Sequence, residues 1–267
     1  MRINRGKWGS AVLAILLLAV LGSATGQQRE EVQSENHQTR TSVAEKSIFE
    51  DLSDGKTFTF TITPGLPAFT FKLIPLQRPA DEFGNAQSTI QDIQVFRADS
   101  DKLLQHLTGC DTTEMQPPPR NGKWFRTDDF NFDGYQDVYL MTTSGATGNQ
   151  YGCVWLYDPS TGRFEYSEGF SKLSRAWLVP ATKTLFTFDR GGMAGLVHTA
   201  ERYAVENNHP VLIWSETQDW NASTRQLHCI VRERRGAEMA VTRDAWSKDG
   251  ETDPPCDPSV LFKNLRR

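Results

Sequence analysis

The chain has 267 residues and a net charge of −4, with 29 basic against 33 acidic side chains. That balance offers no extended basic face, which argues against nucleic acid as a partner. The length is enough for one sizeable domain with its own hydrophobic core.

Arg2, Arg5 and Lys7 precede an unbroken apolar run from Ala11 to Leu21, and Gly22-Ser23-Ala24 supply small residues for cleavage. The run is shorter than the roughly 20 residues a membrane span needs, so residues 1–24 read as a secretory signal peptide. A retained N-terminal anchor is the alternative. No cysteine lies near the cleavage point, which argues against a lipoprotein. Residues 25–47 are rich in Gln, Glu, Ser, Thr and Arg and are expected to form a disordered polar tether. Residues 48–267 then form a single domain. The expected location is periplasmic or secreted, with no stable membrane insertion after the signal is removed.

From Thr57 onward the pattern is that of strands. "TFTFTI" (Thr57 to Ile62) alternates threonine with apolar residues, the period of a half-buried strand. "FTFKLIPL" (Phe69 to Leu76) is expected to pair with it across Pro64-Gly65. Ile90 to Phe96, Lys123 to Phe130 and Asp137 to Thr143 are further strands. "CVWLYDPSTGRFEYS" reads as a hairpin around a type I turn closed by Gly162. Thr184 to Arg190 is a strand that breaks at Gly191-Gly192. Two more hairpins follow, one turning at Asn207-Asn208 and one near Arg235-Gly236, where Arg232, Arg234 and Arg235 form a solvated basic tip. Only Lys102 to Leu107 and Leu173 to Trp177 suggest a short helical turn. Many short strands joined by Gly, Pro and Asn turns predict an all-β fold, an irregular β-propeller-like domain of hairpins or, alternatively, a β-sandwich.

Four cysteines, Cys110, Cys153, Cys229 and Cys256, fall in the exported part. An even count in an oxidising compartment favours two disulfides, with three connectivities possible. Proximity in sequence favours Cys110–Cys153 and Cys229–Cys256.

The most distinctive stretch is "TDDFNFDGYQDVYL" (Thr127 to Leu140). Asp129, Asn131 and Asp133 sit at alternate positions before Gly134, where the backbone must turn. Tyr135 follows with its carbonyl and Asp137 with its carboxylate, the order of a calcium loop. Hard oxygen donors with no thiolate or imidazole suit Ca²⁺. Leu140 occupies the place where an EF-hand carries a bidentate glutamate, and strands flank the loop instead of helices. The expectation is a structural calcium site between two strands, built from Asp129, Asn131, Asp133, Tyr135 and Asp137. The alternative is an Asp/Asn-rich turn that caps backbone N–H groups without metal.

The motifs "DFNFDGYQDVYL", "GNQYGCVWLYDPSTGRFEYS", "LSRAWLVPATKTLFTF" and "RGGMAG" follow one another between about Lys123 and Trp214. In that order they resemble bacterial periplasmic proteins with a β-propeller-like fold and a calcium loop related to FG-GAP repeats. Some members of that family are immunity proteins against lysozyme-like peptidoglycan hydrolases delivered by type IV secretion. The resemblance implies calcium at the five loop positions and a peptidoglycan hydrolase as the protein partner. Inhibitors of this kind insert a loop into the hydrolase cleft. "SGATGNQYG" (Ser144 to Gly152), displaying Asn149 and Tyr151, is the candidate here, with a flexible hairpin connection as the alternative.

No catalytic constellation stands out: HExxH, GxSxG, phosphate-loop and dinucleotide fingerprints are all missing from the sequence. The chain is therefore expected not to be an enzyme. His106 and His228 read as structural, and His198 beside Glu201 is the one histidine with a site-like neighbour. Trp124, Trp155, Trp177, Trp214 and Trp220 read as core. Two other classes remain open, a structural or adhesive surface-binding module and an unrecognised hydrolase.

Overall fold

In the computed structural model, residues 52–79, 87–100, 102–112, 115–116, 118–119, 123–248, 254–258 and 261 are described; the expected signal peptide and tether lie outside them. All the described elements fall within one compact unit, Lys46–Arg267. They form three antiparallel meander sheets. The first runs through β1 (Lys56–Phe60), β2 (Phe69–Arg78), β3 (Gln87–Arg97) and β4 (Leu103–His106). The second comprises β5 (Phe125–Asp128), β6 (Asp137–Ser144), β7 (Gln150–Asp158) and β8 (Arg163–Tyr166). The third has six strands: β9 (Trp177–Val179), β10 (Thr184–Arg190), β11 (His198–Glu206), β12 (His209–Asn221), β13 (Gln226–Arg235) and β14 (Glu238–Trp246).

The all-β expectation holds. None of the three sheets closes into a barrel, and the arrangement accords with the sandwich alternative. Sheets one and two face each other across an aromatic layer. Phe58 meets Trp124 edge-on at 5.5 Å, and Phe71 meets Phe125 and Phe164 at 5.7 and 5.4 Å. Phe69 packs against Tyr157 and Phe164 at 5.7 and 5.6 Å. These contacts follow from the period-2 pattern, which sends Phe69, Phe71 and Leu73 of β2 to one buried face.

The expected pairing of the first two strands is present, with Phe58 opposite Phe71. Two helical expectations are corrected. Leu103–His106 is a strand, paired with Gln94 to Phe96, because sheet pairing overrides a segment with no clear apolar period. The short helix α1 spans Glu168–Ser171, ahead of the expected Leu173 to Trp177 turn, and buries Phe170. The β11–β12 hairpin does turn at Asn207-Asn208, both at positive φ, the backbone that short hairpin turns require.

Both expected disulfides are present. Cys110–Cys153 ties the segment after β4 to β7, and Cys229–Cys256 ties β13 to the C-terminal segment, each with Cα atoms 5.9 Å apart. Such cross-links are those of a chain exported to an oxidising compartment. Among the described residues no helix is long and apolar enough to cross a membrane.

Candidate metal centre

The acidic loop lies between β5 and β6, and its side chains fold inward onto its own backbone. Asp129 accepts from the N–H groups of Asp133 and Gly134, both at 3.0 Å. Asp133 accepts from the Tyr135 N–H at 2.8 Å, and the Asn131 amide donates to Asp133 at 2.8 Å. Gly134, at φ 92, makes the sharp turn that a side chain would strain, and Phe132 also adopts a positive φ.

Asp137 closes the loop from the first position of β6 and is fully buried. One carboxylate oxygen accepts the Phe130 N–H at 2.8 Å, and the other accepts the Tyr157 N–H at 2.9 Å. Burial pushes this carboxyl up to about 7, against the relief of those two N–H groups; the nearby charges of Asp133 and Asp129 push the same way. A buried acid flanked by two further acids is the donor set that a hard divalent cation neutralises. Calcium here would take side-chain oxygens from Asp129, Asn131 and Asp133, the carbonyl of Tyr135 and the carboxylate of Asp137. As the loop stands, the carboxylates of Asp129, Asp133 and Asp137 are turned onto N–H groups and do not converge on one point, the arrangement of an Asp/Asn-rich turn that caps its own backbone.

The loop is anchored at both flanks. Gln136 N–H donates to the carbonyl of buried Ile62 at 2.8 Å, and Asn131 donates to Asn208 at the β11–β12 tip at 3.2 Å. Beside it opens a cavity of about 710 Å³ whose rim includes Asp133, Asp158, Glu165, Glu168 and Asn208. Asp158 is committed within its own turn, accepting from Ser160 and Thr161.

The two residues expected to meet a partner differ in availability. The Asn149 amide clips both backbone groups of Arg190, donating at 3.1 Å and accepting at 2.9 Å, which pins its loop to the end of β10. Tyr151 keeps its ring on the surface, 40% exposed, with its hydroxyl 3.5 Å from Asp189.

His198 is buried, and its partner is Glu216 at 3.1 Å rather than Glu201, which instead accepts from the Tyr203 hydroxyl. Glu216 also lies close to Cys229 and Cys256, but these are bonded to each other and offer no thiolate to a metal. Trp124 and Trp155 are core residues as expected, Trp177 and Trp214 are half-buried, and Trp220, near the end of β12, is 37% exposed.

Sequence reasoning missed a second cleft, of about 330 Å³, lined by Lys123, Trp124, Arg126, Gln150, Arg175 and Trp177. Its cations come from separate elements, so no local motif announces it.

No protein-family model matches the chain, and no curated protein does. Among solved structures, the chain is similar to one described as "Structure of a Xanthomonas Type IV Secretion System related protein". The TM-score is 0.48 and the identity 18%, over 73% of this chain and 97% of that one. Likeness at that level does not transfer function.

Proposed function

We propose that this chain is an exported, calcium-stabilised binding protein of the periplasm that acts by holding a protein partner rather than by catalysis. The observation that carries the calcium part is Asp137, a buried carboxylate beside Asp129 and Asp133 at a turn between two strands. A cation there stabilises the ionised form and locks the β5–β6 connection onto the third sheet through Asn131 and Asn208. The role is structural, since the loop joins strands and has no helix pair to open.

The partner reading rests on the ordered motifs from Lys123 to Trp214, which resemble those of envelope immunity proteins. On that basis the partner is a peptidoglycan hydrolase, and Tyr151 is the exposed side chain of the candidate contact loop. The test is a turbidity assay with a lysozyme-like hydrolase from a type IV secretion system and the mature protein in calcium. Stoichiometric inhibition, weakened by Tyr151→Ala, is the expected result. If the hydrolase is neither bound nor slowed, the immunity reading fails and a surface-binding module takes its place.

A further inference from the structure

The second cleft lies at the far end of the β5–β6 hairpin from the metal loop. Met141, on its wall, is four positions along β6 from Asp137, about 13 Å at the rise of an extended strand. The Lys123 and Met141 end of the cleft is thus clear of the acidic loop, while Arg126 joins the two through its pairing with Asp128, next to Asp129. Three cations line it, and each is held differently. Arg126 stacks its guanidinium over the Tyr139 ring at 4.1 Å and pairs with Asp128. Arg175 sits over the indole of Trp177, its guanidinium 5.3 Å from the ring centre. Lys123 is exposed at the rim and accepts a bond from Arg126 only through its backbone carbonyl.

Arg126, on β5, and Arg175, in the segment between α1 and β9, both line the cleft, and both act electrostatically on the Tyr139 hydroxyl. Among the described residues, Asp128 is the single carboxylate paired to this group. Three cations against one anion leave a surplus of two positive charges in a small cleft. Cations on a protein surface are usually solvated and dispersed. Here two are stacked on aromatic rings and therefore fixed in direction, which is how arginine is used when it recognises a planar anion.

The backbone adds a second observation. Arg175 adopts φ 27, in the left-handed region that a residue of this type rarely enters, and its N–H is tied to the Gln150 carbonyl at 2.8 Å. That conformation directs a long cationic side chain into the cleft. Strained backbone of this kind concentrates where ligands are held. Gln150 also lines the cleft, and the indole of Trp177 supplies an apolar wall.

We propose that this cleft is a binding site for a carboxylate group, gripped by Arg175 and Arg126 and steered by Lys123. The guanidinium fork meets a carboxylate through two parallel N–H donors, and the indole covers the ligand's apolar portion. A cleft of about 330 Å³ takes one acidic side chain of a protein or one small organic acid.

The test uses the full mature protein loaded with calcium, titrated with glutarate against chloride at matched ionic strength and followed by amide chemical shifts. The proposal expects saturable shifts at Gln150 and Trp177. Arg175→Asn, which tolerates the positive φ but lacks the guanidinium, weakens binding at least about 10-fold. Arg225→Gln, on the distant β12–β13 turn, leaves it unchanged. A blocked Gly-Glu-Gly peptide that binds as tightly as glutarate assigns the carboxylate to a protein side chain, and binding of glutarate alone assigns it to a free acid. No saturable shift in the wild type, or equal binding by a folded Arg175→Asn protein, overturns the proposal.

Discussion

The carboxylate of Asp137 accepts the backbone N–H of Tyr157 at 2.9 Å, so the residue that closes the acidic loop also bridges β6 to β7. Its other oxygen takes the Phe130 N–H. Removing it orphans two buried donors, at a cost of about 1–3 kcal/mol each. Asp137→Ala is expected to lower stability by about 2–4 kcal/mol in urea denaturation at pH 7 with calcium present. Asp137→Asn keeps one acceptor and falls between the variant and the wild type. An Ala variant with an unchanged urea midpoint would refute the bridging role.

Calcium should raise the melting temperature, and a chelator should lower it. At a calcium concentration 100 times the dissociation constant, the added stability is about 2.7 kcal/mol. Asp133→Ala, exposed and outside the core, should cost little in chelator yet abolish the calcium-dependent rise. Calorimetry on wild type and variant checks both points. Equal responses to calcium would remove the loop as the site.

In calcium-depleted buffer the pH profile should run against the usual direction for a carboxylate. Burial raises the Asp137 carboxyl from 3.8 to about 7. Between those values the folded chain retains a proton that the unfolded chain has released. Stability from this group is therefore full below about 4, declines as pH rises, and is lost above about 7. Calcium favours the ionised form, so its addition should flatten the decline. Urea midpoints at several pH values, with and without calcium, give the two slopes; a stability rising with pH in depleted buffer would contradict the assignment.

Each disulfide should contribute about 3–4 kcal/mol through the loop it closes, whose ends are 43 and 27 residues apart in sequence. The double substitution Cys229→Ala with Cys256→Ala also loosens the Cys256 N–H bond to Gln218 at 2.9 Å. Loss of protection of that amide, read by hydrogen exchange, should accompany the lower midpoint. An amide that stays protected would show that the C-terminal segment is held without its cross-link.

The strands were readable where side chains alternate and turn residues punctuate. The Thr184–Arg190 strand appears with the expected bounds, and the hairpin through Asp158 and Gly162 closes as its turn chemistry requires. Leu103–His106 was not readable, because "LLQH" carries no period and becomes a strand only by pairing with β3. The acidic turn between β5 and β6 could be read because its Asp and Asn residues lie close in sequence. The partner of His198 could not, since Glu216 reaches it only across the β11–β12 pairing. The same holds for Arg126 and Arg175, which line one cleft from β5 and from the segment before β9.

The disulfides join neighbours along the chain, first Cys110 with Cys153 and then Cys229 with Cys256. Neither link encloses or crosses the other. A polypeptide threading through a membrane N-terminus first presents its thiols in that same order. Oxidation as each pair emerges yields the native connectivity without reshuffling. The order of emergence itself then selects one of the three possible pairings, and maturation needs an oxidant but little isomerase activity.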